Sequence, residues 1–126
     1  MKYIITLIVL LNSALGFNQE AVFFFFYTTV KFPKTNEGEM LSHYFVFKNK
    51  GDKPLKIERY EVECDCTVLE FPSYEIQPNA IDSVRLTFDT NGKYYFQDRT
   101  VIVYSNSKKK KTILRFKVNV IPKEDW

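Results

Sequence analysis

Cys64 and Cys66 are the only cysteines in the chain, one residue apart, and they are the first residues that could do chemistry. In an extended strand they share a face, with Cα atoms roughly 6.6 Å apart, near the upper limit for a disulfide. Three readings follow. The plainest is a pair of small apolar thiols, or a bent local disulfide that fixes the end of a strand. So tight a loop restricts the unfolded chain little and stabilises less than a bridge between sheets. The second is a soft-metal site in which Cys64 and Cys66 hold Cu(I) or supply half of a tetrahedral zinc shell. His43 is the one imidazole available to such a shell, so closing it would take a second chain. The third is a redox pair, opposed by the neighbouring carboxylates of Glu63 and Asp65, which raise thiol pKa values and lower reactivity.

Charge adds two further candidates. Glu61, Glu63 and Asp65 recur at every second residue and form a strip that would attract a cation or a basic partner. The simpler reading is a solvated sheet face, which also guards an edge against unwanted strand addition. Lys108, Lys109, Lys110 and Lys111 make a basic run between two strand patterns. It reads as a soluble hairpin loop, or as a contact for anionic lipid or polysaccharide. His43 alternates in phase with Phe45 and Phe47 and so belongs at the edge of the core. Ser42 lies on the opposite face and cannot act with it as nucleophile and base. There is no Gly-rich phosphate loop, no zinc-protease motif and no Asp-rich calcium loop. We therefore expect a non-enzyme with no catalytic residue and no cofactor.

These residues need strands to hold them. Ala21 to Phe32 reads as one strand, apolar on both faces, that requires cover on both sides. Pro33 ends it, and Lys34 to Glu39 is a polar turn. Leu41, His43, Phe45 and Phe47 then alternate with Ser42, Tyr44, Val46 and Lys48, as in a half-buried strand. Lys50 to Pro54 carries turn chemistry. In the next strand Leu55 and Ile57 are apolar first, then Tyr60, Val62, Cys64, Cys66 and Val68. The step of three implies a β-bulge near Glu58 to Tyr60 and turns both thiols coreward. Val84, Leu86 and Phe88 form a strand closed by Asn91-Gly92. Thr100 to Ser105 is apolar on both faces. Thr112 to Val120 buries Leu114, Phe116, Val118 and Val120, and the last four residues are expected to fray.

Composition agrees with this pattern. The chain is 45% apolar and 17% aromatic, with twelve Phe and eight Tyr, which suits strands and one well-filled core. The start, one early Lys, an apolar run from Tyr3 to Leu11 and small residues at Ala14 and Gly16, reads as a secretory signal over residues 1 to 16. Residues 17 to 126 then form a single domain. The apolar run is too short to span a bilayer comfortably; retention as an anchor is the alternative. Loss of residues 1 to 16 takes away only Lys2 and lowers the charge from +3 to +2. That is too little, and too dispersed, for a nucleic-acid partner. About seven short strands joined by Gly, Pro and Asn turns predict an all-β, immunoglobulin-like sandwich.

Several motifs carry a resemblance. They are Glu37-Gly38-Glu39; His43, Phe45 and Phe47; Asn49-Lys50-Gly51-Asp52 with Pro54-Leu55 and Ile57; Cys64-Asp65-Cys66-Thr67; Ile76 with Pro78-Asn79; Phe88-Asp89-Thr90; and Ser105-Asn106. Together they resemble the bacterial family known as domain of unknown function fifteen seventy-three, over nearly all of Val30 to Ile121. The resemblance implies an exported immunoglobulin-like domain, similar in fold to major sperm protein and pilus-chaperone sandwiches, with no enzymatic activity. The chain departs from the family pattern at Lys50, at Asp65 and Asn79 where Gly is usual, and at Lys31-Phe32-Pro33. Loss of the Gly at Asp65 removes backbone freedom between the thiols.

The sequence thus predicts an exported, non-catalytic module of the bacterial envelope, periplasmic or extracellular, that binds a protein or cell-surface partner. Exposed strand edges would be its docking surface. A thiol-dependent metal or redox protein using Cys64 and Cys66 is the alternative.

Overall fold

A computed structural model describes residues 19 to 126; the expected leader at residues 1 to 16 lies outside the described residues. The alternation at Phe45 and Phe47 builds the longest strand of one sheet, and that at Leu114 to Val120 builds one of the two longest of the other. The strands are β1 (Phe23–Phe25), β2 (Thr29–Lys31), β3 (Thr35–Asn36), β4 (Met40–Asn49), β5 (Ile57–Val62), β6 (Thr67–Glu70), β7 (Ile81–Asp89), β8 (Tyr95–Ser105) and β9 (Lys111–Ile121). Sheet A runs β1-β4-β7-β6 and sheet B runs β2-β9-β8-β5, with β3 also on β9. All pairs are antiparallel except β2 and β3 on β9.

The inner faces meet in one core. Phe45, Phe47, Val84, Leu86 and Phe88 of sheet A face Val101, Val103, Leu114, Phe116 and Val118 of sheet B, all at most 1% exposed. Phe88 and Phe116 pack at a tilt across the gap with centroids 4.9 Å apart. The expected in-out alternation of β4, β7 and β9 holds throughout. The bulge also holds: the β5–β8 register shifts between Ile57 and Arg59.

Four expectations change. The single strand at Ala21 to Phe32 is two, because the chain leaves sheet A after Phe25 and joins sheet B at Thr29. Only its inner side is covered: Phe25 is buried while Phe24 and Phe26 stay 37% and 46% exposed. The polar turn before β4 contains β3, and the final residues form a 3-10 turn, Lys123–Asp125, with the Trp126 indole donating to Ile121 O at 3.1 Å. The strand drawn through both cysteines is also two. Residues 63 to 66 form a turn that carries the chain from sheet B to sheet A, and it reverses the phase, so Thr67 and Leu69 are buried and Val68 is 44% exposed.

Candidate functional site: an open strand edge and an apolar sheet face

The turn places the two thiols first. Cys64 and Cys66 are joined as a disulfide with Cα atoms 5.2 Å apart, closer than an extended strand allows. The Cys66 N–H also points to Cys64 Sγ at 3.2 Å. Asp65 is no obstacle: among the described residues only Asn79 and Tyr95 are non-glycines in the left-handed region. The metal reading of Cys64 and Cys66 is corrected accordingly, since sulfurs bonded to each other offer no thiolate. Among the described residues no group of three or more His, Cys, Asp or Glu side chains is spaced to hold a metal. His43 packs instead between Phe32 and Phe45, with centroids 6.2 and 4.7 Å away. Burial lowers its pKa.

The carboxylate strip is likewise dispersed. Only Glu61 lies in β5, where Arg59 (2.7 Å) and Tyr104 (2.9 Å) hold it, lowering its pKa. Glu63 accepts a hydrogen bond from Thr100 at 3.3 Å, and Asp65 is exposed in the disulfide turn. Lys108, Lys109 and Lys110 do sit in the expected hairpin loop, at the far end of β8 from that turn. Lys111 opens β9 and lies 5.5 Å from the Tyr104 ring. The structure thus joins Glu61 with Lys111 across the Tyr104 ring, keeps Glu63 beside Glu61 on sheet B, and leaves Asp65 in the disulfide turn and Lys108 to Lys110 in the loop.

The outer faces of the two sheets differ in character. Sheet B presents the cross-strand ion pair of Arg115 Nε with Asp98 Oδ1 at 2.7 Å, which lowers the Asp98 pKa, with Phe96 and Ile113 exposed singly towards opposite ends of the β8–β9 ladder. Sheet A presents Phe24, Phe26, Tyr44, Val46 and Ile81 to solvent. Two cations rest on these rings: Lys50 Nζ is 3.5 Å from the Phe24 centroid and Arg85 Cζ is 5.8 Å from that of Tyr44. Beside them Phe26, Tyr27, His43, Tyr44, Phe45 and Val46 line an apolar cleft of about 310 Å³.

That cleft lies along an incomplete edge. β4 pairs with β7 from Met40 to Lys48, but β1 covers its other side only over Phe47–Asn49, with one further bond from Phe26 N–H to Val46 O at 3.1 Å. The phase of the ladder is fixed at both ends: Asn49 N–H donates to Ala80 O (3.0 Å), and Thr90 N–H donates to Glu39 O (3.2 Å). Odd-numbered residues therefore pair with β7, and the N–H and C=O groups of Ser42 and Tyr44 point outward along the open edge. Sequence reasoning took Ser42, Tyr44 and Val46 only as the wet side of a half-buried strand. The exposed aromatic and β-branched pair was a signal, but the edge itself depends on where β1 departs.

Two sheets packed on one core place the chain in the class of immunoglobulin-like β-sandwiches. The chain belongs to the family described as Protein of unknown function (DUF1573), whose model matches residues 24–120. Among solved structures it is similar to a protein of unknown function from Porphyromonas gingivalis W83, with 16% identity, a TM-score of 0.70, and 85% of this chain and 50% of that chain covered. This chain thus spans half the length of that protein. It is also similar to a PapD-like domain of human CEP192, with 14% identity, a TM-score of 0.61, and 82% and 86% of the two chains covered. The secreted serine protease VesC of Vibrio cholerae matches at 10% identity and a TM-score of 0.57, over 82% of this chain and 23% of that one. Identities this low establish a shared fold. No curated protein gives a significant match.

Proposed function

We propose that this chain is a non-catalytic binding module of the bacterial envelope, exported by its first sixteen residues, and that it docks a protein partner on sheet A. The observation that carries the reading is the run of exposed Phe24, Phe26, Tyr44 and Val46 beside an unpaired stretch of β4. An apolar patch rimmed by polar groups marks an interaction surface. The PapD-like neighbour supports the scaffold. Among the described residues no helix is long and apolar enough to cross a membrane. The test is a hydrogen-exchange footprint of the chain with proteins of its own envelope. Protection should fall on Phe24 to Phe26 and Ser42 to Val46, and protection confined to other segments would overturn the reading.

A further inference from the structure

Five other strands are blunted in ways that the open part of β4 is not. β1, β2 and β3 are three, three and two residues long, with Pro33 between the last two. β6 has four residues and is soon followed by Pro72. β5 carries the bulge and the Arg59–Glu61 ion pair. The β4 stretch from Met40 to Val46 has no Pro, no Lys, no acid and no bulge, and such edges accept another strand.

We infer that the open edge of β4 takes one extended segment of a partner protein, in which apolar and acidic residues alternate. This rests on the docking proposed for sheet A and names its occupant. The N–H and C=O groups of Ser42 and Tyr44 lie in the plane of the sheet, and a second extended main chain satisfies both kinds of group at once. Side chains of the guest would then alternate. One set enters the cleft against His43 and Phe45, which calls for apolar residues. The other set lies beside Tyr44 and Val46, where Lys48, Lys50 and Arg85 stand against Glu70, in register with Arg85, and Asp89 at the far end. Carboxylates complement that rim.

The probe is a short end-blocked peptide of alternating valine and glutamate, titrated into the purified chain, with a valine–lysine peptide as comparison. The valine–glutamate peptide should bind and slow amide exchange at Ser42 and Tyr44, and the lysine peptide should bind roughly tenfold or more weakly. Ser42→Pro removes an outward N–H without touching a β7 bond, as edges tolerate. It should weaken binding about tenfold, with Ser42→Ala within about twofold of the wild type. Where Ser42→Pro does not fold, the exchange rates of the wild-type chain decide. Equal binding of both peptides, or binding with unchanged exchange at Ser42 and Tyr44, would overturn the inference. So would concentration-dependent pairing of the chain that protects those amides without peptide, since the occupant would then be a second copy. If the peptide fails while the envelope footprint still falls on Phe24 to Phe26 and Ser42 to Val46, the acidic strand is wrong and the docking face stands.

Discussion

Asn49 is fully buried, yet its amide is satisfied on every side. Oδ1 accepts from Val22 N–H (3.1 Å) and Gly51 N–H (3.0 Å), while Nδ2 donates to Lys53 O (2.7 Å) and Ile76 O (3.0 Å). One side chain thus ties the start of the fold, the β4–β5 turn and the loop before β7. Gly51 allows it: a Cβ there would lie 2.7 Å from Val22 N and 2.8 Å from Ala21 Cα, and closer still to Glu20 O. Asn49→Ala strands several main-chain groups and should cost about 2–4 kcal/mol in a denaturant titration. Asn106 and Thr90 act alike, Asn106 bridging Lys56 N–H (2.7 Å) and Pro54 O (3.1 Å), and Thr90 bridging Gly38 N–H (3.0 Å) and Glu39 O (2.6 Å). The motif residues that carry the family resemblance therefore staple loops, and the docking surface is built mostly from residues outside them. Glu37 is another such tie, accepting from Lys123 N–H and Gly92 N–H, both at 3.1 Å, and the bond from Lys123 leads in lowering its pKa. A lowered carboxyl pKa contributes stability above the ordinary value of 4.5 that is lost as pH falls through the folded value. Thermal melts from pH near neutral downward should show this acid limb, and Glu37→Gln should flatten it while lowering stability at neutral pH.

At the scale of elements, the disulfide turn acts as a stiff corner between β5 and β6. Its closing loop is three residues, so the chain-entropy argument gives only about 1–2 kcal/mol. Cys64→Ser with Cys66→Ser should lose that much in a chemical melt and leave binding by sheet A unchanged; a larger loss, or loss of binding, would return chemistry to the thiols. The corner was hidden in the sequence because Tyr60, Val62, Cys64, Cys66 and Val68 keep their spacing through it. The polar Thr67 at a buried position gave no apolar sign of the reversed phase. The run of phenylalanines from Phe23 to Phe26 concealed the sheet change for a similar reason: with every residue apolar, periodicity carries no phase. By contrast β4, β7 and β9 each bury one face and wet the other, so their alternation was readable residue by residue. The bulge was readable too, since it shifts the apolar spacing by one.

For the whole molecule, the two-sheet architecture was legible because strand spacing and turn residues repeat along the chain. The docking surface was not, because an edge is a property of assembly. Tyr44 and Val46 look like any water-facing strand residues until β1 is seen to stop at Phe25, with one last bond from Phe26. The same holds for charge: the lysine loop and the disulfide turn lie at opposite ends, and neither borders the apolar cleft. The central claim is that binding occurs on sheet A at the open edge of β4. Its most direct test is amide hydrogen exchange of the intact chain, alone and after incubation with a detergent extract of its own envelope. Slowed exchange at Phe24, Phe26 and Ser42 to Val46, with the Cys64–Cys66 turn and Lys108 to Lys110 unchanged, is the predicted result. Protection at the disulfide turn or the lysine loop, with Ser42 and Tyr44 exchanging as freely as before, would contradict it.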